Sequence, residues 1–244
     1  MTGRTTIGRA RTTGRGGSAV QERSERTRSN LLHAGAEMFT RNGYANSTLG
    51  GIAGAAGVTK GALYFHFASK DELAEAVQQR GCTMLDDWVR GLRDSGVSPL
   101  QTLVDTTHWL ARTLHEEPAI PASFRITKEH LGRESGLTDF HQEWMGVVCE
   151  LLGQARDAGE LREGRWEGSE SLVAAAACGI EVMAGTGMPY EELRRRVATM
   201  WALLLPSLVP VGRAKDFRTE APDEQSGPEA PYGRQRQEFT GSAV

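Results

Sequence analysis

The stretch TLGGIAGAAGVTKGALYFHFASKDEL, at residues 48–73, decides the fold of this chain. Apolar residues recur at helical spacing over residues 49–53, and Gly57 then ends the pattern. Thr59 is a typical N-cap, so a second short helix should begin at Lys60. Two short helices joined by a turn that contains glycine predict a helix-turn-helix unit.

The second of these helices carries a mixture of basic and aromatic residues that a plain core helix would not need. Leu63 and Phe67 are four residues apart and should face the core. In a helix-turn-helix unit the second helix enters the DNA major groove, with its N-terminal residues toward the base edges. The start of the following helix, at Lys70, is a favourable place for a phosphate. The residues that this reading places toward DNA are Lys60, Gly61, Tyr64, His66 and Lys70.

The rest of the pattern is helical as well, so the predicted fold class is all-α. A first helix is expected over residues 22–42, before Gly43, and Ser69 with Glu72 predicts a capping box for the helix after the reading unit. Only a short segment is expected after Pro118 and Pro121. The longer helices predicted beyond the reading unit cover residues 71–92, 99–115, 137–158, 168–184 and 189–205.

Charge divides the chain into regions, although its 244 residues carry a net charge of only −3. Residues 1–70 have an excess of Lys and Arg, and residues 71–211 an excess of acids, as expected for a nucleic-acid-binding module attached to another domain. Both ends lack the apolar residues that a core requires. The predicted organisation is a disordered basic arm (1–21), a DNA-binding domain (22–70), a larger helical domain (71–211) and a disordered tail (212–244).

Several classes of function lack their sequence signals. The chain has no GxSxG, Walker or GxGxxG motif and no HxxxH or HExxH pattern, so we expect neither an enzyme nor a bound cofactor or metal. Its three cysteines are scattered, which is typical of reduced thiols in the cytoplasm. No apolar run reaches spanning length and no secretory signal is present, so a membrane location is not expected.

The signature at residues 48–73 resembles the DNA-binding domain of the TetR family of transcriptional regulators. The resemblance implies an all-helical homodimer, in which each subunit joins a three-helix reading head to a ligand-binding and dimerising body. It also implies a palindromic double-stranded operator and repression that a small molecule relieves. The DNA contacts that it implies are Thr48, Thr59, Lys60, Gly61, Tyr64, His66 and Lys70. One departure concerns Gly50 and Gly51, because the family commonly has Asp or Glu in this helix.

The segment VTKGALYFHFASKDELA is especially similar to the γ-butyrolactone-receptor branch of that family, which controls antibiotic production. FRITKE at residues 124–129 and MWALLLPSLVP at residues 200–210 continue the likeness, although both termini are longer than usual. The resemblance implies a small lipophilic ligand in the body, with a cavity tryptophan at about the place of Trp144. The predicted ligand-binding residues are Trp144, Trp109, Phe124 and Val148.

Residues 171–184, which are mostly small and apolar, predict the dimer face together with residues 190–205. Three alternatives stay open at this point. The protein could be a pseudo-receptor that responds to an antibiotic, a DNA-binding regulator without a ligand, or an activator rather than a repressor.

Overall fold

The computed structural model describes residues 15–130, 138–163 and 168–222, and within these ranges it contains nine α-helices and no strand. The fold class is therefore all-α, as predicted. The helices are α1 Arg15–Asn42, α2 Leu49–Ala55, α3 Lys60–His66, α4 Lys70–Asp94, α5 Pro99–Glu116, α6 Ala119–His130, α7 Phe140–Asp157, α8 Ser169–Gly185 and α9 Tyr190–Leu208. None of the described helices is long and apolar enough to cross a membrane.

Two separate hydrophobic cores organise these helices. The head core joins α1, α2 and α3 around Phe39, Ile52 and Leu63, and it also takes in the first turns of α4 and one face of α6. The body core runs from the second half of α4 to Phe217. It includes four of the five tryptophans, and the fifth, Trp166, lies outside the described residues. Because α4 and α6 contribute to both cores, burial of their apolar side chains ties the head to the body.

The prediction that α1 begins near residue 22 is wrong, because the helix starts at Arg15. No proline interrupts this stretch, and a helix nucleated by a core extends at little cost per added residue. Gln21 also donates to Glu25 one turn later, at 3.1 Å. The expected disordered arm therefore becomes helical at its C-terminal end, and residues 1–14 lie outside the described residues.

The prediction of only a short segment after the two prolines is also wrong, since α6 is a full helix of 12 residues. Pro121 is its third residue, and the first four N–H groups of a helix have no acceptor within the helix. The missing N–H therefore costs α6 no hydrogen bond. Sequence reasoning treated the proline as a helix breaker, although it stands where a helix tolerates one.

Side chains of α6 hold the C-terminal end of α1. Arg125 Nη1 donates to the carbonyl oxygen of Thr40 at 2.7 Å, and the Glu129 carboxylate accepts the N–H of Ala45 at 2.9 Å. Gly43 lies between them with a φ of +81°, and a Cβ there would collide with Glu129. The turn after α1 therefore needs glycine for its backbone conformation and for the close approach of α6.

The prediction of a disordered tail from residue 212 is wrong for its first part. After a 3-10 turn at Ala214–Asp216, Phe217 is buried in the body core and Arg218 forms an ion pair with Asp105 of α5. A single aromatic residue followed by a single arginine has no helical or strand period, so no pattern revealed this docking. The predicted disorder of residues 223–244 concerns residues outside the described ranges.

Two glycines around α2 should respond in opposite ways to alanine. A Cβ on Gly54 would meet nothing within 4 Å, so Gly54→Ala should raise the free energy of unfolding by about 0.5–1 kcal/mol through better helix propensity. Gly57 has a φ of +67°, so Gly57→Ala should lower it by about 1–2 kcal/mol. Thermal unfolding followed by circular dichroism measures both. Equal shifts for the two variants would contradict the assigned end of α2.

Candidate nucleic-acid interface and ligand site

The reading unit is held by a threonine cap on each short helix, of which the sequence predicted the one at Thr59. Thr48 Oγ1 accepts the N–H of Gly51 at 3.1 Å, and Thr59 Oγ1 accepts the N–H of Ala62 at 3.1 Å, so each threonine caps one short helix. Between the helices, the N–H of Val58 donates to the Ala53 carbonyl at 3.0 Å. The two threonines therefore orient α3. Each keeps its own hydroxyl hydrogen, which a phosphate oxygen could accept.

One face of α3 is buried and the opposite face is open. Leu63 and Phe67 are buried in the head core, as predicted. Lys60 and Gly61 are exposed, Tyr64 is 56% exposed and His66 is half-buried. Lys60, Gly61, Tyr64 and His66 therefore lie on or beside one outward surface, which we call the reading surface. It combines a cation, a residue without a side chain, a phenol and an imidazole. Such a surface can approach a DNA groove closely and donate hydrogen bonds to it.

Phe65 belongs to the reading surface, and sequence reasoning missed it. Its ring is 80% exposed and packs edge-on against the ring of His66, with centroids 5.2 Å apart. The available signal was its position, two residues from both Leu63 and Phe67, which places it opposite the buried stripe. A large exposed ring on a DNA-reading helix is suited to contact with a thymine methyl group.

Gly50 has a specific neighbour. A Cβ on Gly50 would lie 2.9 Å from Cε of Lys60, so the lysine side chain extends across α2 through the space that the glycine leaves. An Asp or Glu, the residue types expected in this helix, would crowd or pair with that lysine. The glycine therefore leaves the charge of Lys60 available at the reading surface.

Lys70 does not fit its predicted contact with a phosphate. Its ammonium donates to the carbonyl oxygens of Tyr44 at 2.9 Å, Ala45 at 3.3 Å and Ser47 at 3.1 Å, and lies 4.2 Å from the Tyr44 ring centroid. All three ammonium hydrogens are therefore used within the head. Burial and the bond to Asp71 raise the pKa of Tyr44, whose neutral phenol donates to that carboxylate. Lys70 thus organises the turn between α1 and α2.

The four predicted ligand-binding residues all belong to the body core. Trp144 and Val148 are buried one turn apart on α7, Trp109 is buried on α5 and Phe124 on α6. Trp109 stacks on Trp88 with ring centroids 6.4 Å apart. Phe124 meets Phe140 edge-on at 5.1 Å. The four predicted residues therefore lie on three helices around one apolar region, and α4 adds the ring of Trp88 to it.

Two indoles in this region carry an unusual polar atom. Nε1 of Trp144 and Nε1 of Trp88 are buried, and neither has a hydrogen-bond partner among the described residues. Trp201 shows the ordinary arrangement, because its Nε1 donates to Thr107 Oγ1 at 2.7 Å. A buried donor without an acceptor is costly and needs an explanation. A ligand oxygen would provide that acceptor.

A concavity of the described structure lies elsewhere. It is a groove of about 1160 Å³ lined mainly by α1, α4 and the turn before α6. None of the four predicted ligand-binding residues lines it. Its walls carry several acidic and basic side chains, such as Arg28, Glu37 and Glu75, which do not suit a lipophilic ligand.

Known proteins share both parts of this architecture. Residues 31–77 match bacterial regulatory proteins of the tetR family, and residues 97–210 match the tetracyclin repressor-like C-terminal domain, so the match stops before the segment that follows α9. The A-factor receptor protein of Streptomyces griseus is 30% identical over 203 residues, which cover 83% of this chain and 71% of that protein.

Two solved structures are similar over most of their length. CprB of Streptomyces coelicolor, in complex with its biological operator sequence, is 31% identical with a TM-score of 0.67, over 80% of this chain and 94% of CprB. A γ-butyrolactone receptor described as ArpA-like is 29% identical with a TM-score of 0.68, over the same shares of the two chains. The predicted resemblance is thereby confirmed: the chain belongs to the TetR family of bacterial DNA-binding transcriptional regulators and is not an enzyme.

Proposed function

We propose that this protein is a homodimeric repressor that binds a palindromic operator and leaves it when a small lipophilic molecule of the γ-butyrolactone class enters the body. The observation that carries the proposal is the reading surface of α3, where Lys60, Tyr64 and Phe65 are exposed on a helix whose opposite face is buried. A bacterial regulator of this kind acts in the cytoplasm, where the DNA is. Its targets are proposed to include antibiotic biosynthesis genes, as the sequence resemblance implies.

The reading surface suits sequence-specific contacts. Lys60 stands in the first turn of α3, where a recognition helix approaches base edges, and it can donate to guanine or to a phosphate. Phe65 supplies an apolar contact, and the hydroxyl groups of Thr48, Thr59 and Tyr64 can bond phosphate oxygens. Lys70 is left out of this proposal, because its hydrogens are already used.

Dimerisation is proposed to use α8 and α9. Leu172 and Val182 of α8 are 50% and 57% exposed, and Leu203 of α9 is 74% exposed. These are three of the seven large apolar side chains that are exposed among the described residues, and they lie on two adjacent helices. Two copies related by a two-fold axis would bury them. Their reading helices would then meet half-sites about 34–36 Å apart, or a multiple of that distance. Because the dimer has two-fold symmetry, the operator should be palindromic.

The ligand is proposed to bind between Trp144, Trp109, Phe124 and Val148. The surroundings are apolar, and the free Nε1–H of Trp144 can donate to a carbonyl or hydroxyl oxygen. A lipophilic molecule with one or two oxygen acceptors satisfies both features. An antibiotic of similar polarity would satisfy them as well, so a pseudo-receptor remains the second candidate.

Ligand entry is proposed to reach the head through α6. Phe124 lies in the body core, whereas the adjacent Arg125 holds the end of α1 and Glu129 holds the following turn. A ligand that displaces the Phe124 ring therefore displaces the side chains that hold the head. A differential affinity of a few kcal/mol between the two head positions is enough to empty an operator.

Loss of reading-surface contacts should weaken operator binding without unfolding the protein. Lys60→Ala and Phe65→Ala should each cost about 1–3 kcal/mol of binding free energy. If the lysine contacts a phosphate, Lys60→Ala should also reduce the slope of log K against log salt by about 1. Fluorescence anisotropy with DNA from upstream of the gene measures both effects.

The matched control is Arg90→Ala, which removes one exposed positive charge from the body. Its operator affinity should stay close to that of the parent. If Lys60→Ala and Arg90→Ala bind equally well while their circular dichroism is unchanged, α3 is not the reading helix.

Trp144→Phe tests the ligand site, since it keeps a buried ring and removes the free N–H. The operator affinity and melting temperature should remain close to parental, while the concentration of a γ-butyrolactone that releases half of the DNA should rise about tenfold, for one lost hydrogen bond. Trp201→Phe is the control. It breaks the bond to Thr107 and should lower the free energy of unfolding by about 1 kcal/mol or more, with unchanged release. Parental release by Trp144→Phe would remove this donor from the ligand site.

A further inference from the structure

The chain returns onto α5 after α9, through three residues that we call the strap: Phe217, Arg218 and Thr219. Phe217 is buried in the body core, although the residues just before it are exposed. Its ring therefore anchors an otherwise polar segment. Glu220, the next residue, approaches Arg194 of α9 at 4.0 Å, so the segment touches two helices.

Gln101 of α5 both donates a hydrogen bond to the backbone of the strap and accepts one from it. Its Nε2 donates to the Arg218 carbonyl oxygen at 3.1 Å, and its Oε1 accepts the Arg218 N–H at 2.8 Å. A side-chain amide thus takes the place of a neighbouring β-strand. Paired main-chain bonds of this type provide affinity for an extended peptide, whatever its sequence.

Asp105, one turn further along α5, recognises the side chain. Nη2 of Arg218 donates to both carboxylate oxygens at 2.8 Å. The Asp105 side chain is only 2% exposed, and its other bond among the described residues comes from Gln101 Nε2 at 2.9 Å. A buried carboxylate without its cation is strongly unfavourable, so this position selects arginine.

His108 completes the row on the same face of α5. Its Nε2 lies 2.8 Å from the Thr219 carbonyl oxygen. A carbonyl only accepts, so Nε2 carries a hydrogen. Burial lowers the pKa of His108, which favours the neutral ring in which Nδ1 carries none. Residues 101, 105 and 108 follow the i, i+4, i+7 spacing of one helix face. They contact, in order, the backbone of Arg218, its guanidinium group and the carbonyl oxygen of Thr219.

We propose that Gln101, Asp105 and His108 form a peptide-binding site on α5, specific for an extended segment with an aromatic residue followed by arginine, and that the strap is its resident ligand. The strap is covalently attached, so its effective concentration keeps the site filled even if the affinity in solution is weak. The bound strap holds the C-terminal end of the body against α5, the helix that also carries Trp109.

Hydrogen exchange of the full chain tests the docking. In the parent the Arg218 amide should be protected, and in Gln101→Ala it should exchange about tenfold faster or more, with the α5 amides unchanged. Gln154→Ala is the matched control, because it removes a half-buried glutamine of α7 whose side chain donates to Glu150 one turn earlier, away from the strap. An unprotected Arg218 amide in the parent, or equal exchange in the two variants, would overturn the proposal.

Competition in trans tests the specificity. The variant Phe217→Ala/Arg218→Ala keeps the full chain and vacates the site, so a labelled peptide of residues 214–222 should bind it saturably and bind the parent at least about tenfold more weakly. The same peptide with Arg218→Ala should not bind the variant. Absence of binding to a folded variant, or equal binding to the parent, would overturn the site. If circular dichroism shows that the variant is unfolded, the exchange result for Gln101→Ala decides.

The docking should weaken in mild acid. Burial lowers the pKa of His108, while the Thr219 carbonyl, Asp105 and Glu220 oppose this effect and Arg194 adds to it. An undocked His108 should titrate near the ordinary value of about 6.5, so below that pH the undocked state binds more protons and release is favoured. Protection of the Arg218 amide, corrected for intrinsic exchange, should fall between pH 7.5 and 5.5.

His108→Gln separates this effect from that of Asp105. Glutamine can still donate to Thr219 but does not titrate, and the variant keeps both Asp105 and Arg218. Burial raises the pKa of Asp105 and the Arg218 guanidinium lowers it, so loss of the strap raises this pKa further and acid again favours release. Protection in His108→Gln should therefore fall less with acid than in the parent, and a parent with the same pH profile would rule out His108 as the titrating group.

Discussion

The bonds from α6 to the end of α1 determine where the reading head lies. Arg125 reaches the Thr40 carbonyl and Glu129 reaches the Ala45 N–H, across a turn that only glycine can form at that closeness. The last carbonyls of a helix have no acceptor role within the helix, so they are free to be held from outside. Head orientation thus depends on two charged side chains of a helix that also packs into the body.

This arrangement gives a physical basis for the proposed response to a ligand. A rigid packed core does not deform continuously, so a change at Phe124 would move α6 as a unit. The head side of the same helix contributes Ala122 and Ile126 to the head core, next to the bonds just described. Lys70 fixes the other side of the turn through three carbonyls. In the proposed response the reading surface would therefore be displaced as a whole, because its internal geometry is held by caps and burial.

The strap adds a second connection, at the opposite end of the body. It joins the residues after α9 to α5, the helix that lies against α7, α8 and α9. The interactions differ in kind from those at the head. The strap is held by its own buried ring, Phe217, and by the buried carboxylate of Asp105. Both groups lose their partners if the strap leaves. The proposed ligand site, the proposed dimer helices and the C-terminal segment thus all include or contact one central helix, α5.

The sequence by itself determined the all-α class, the helix-turn-helix unit with its caps at Thr59 and Ser69, and the buried pair Leu63 and Phe67. These features depend on neighbours within about one helical turn, which a period or a cap reveals. The tertiary structure decided the role of Lys70, the helix that contains Pro121 and the docking of Arg218. Each of these depends on which atoms approach from a distant part of the chain, and a local pattern carries no record of that approach.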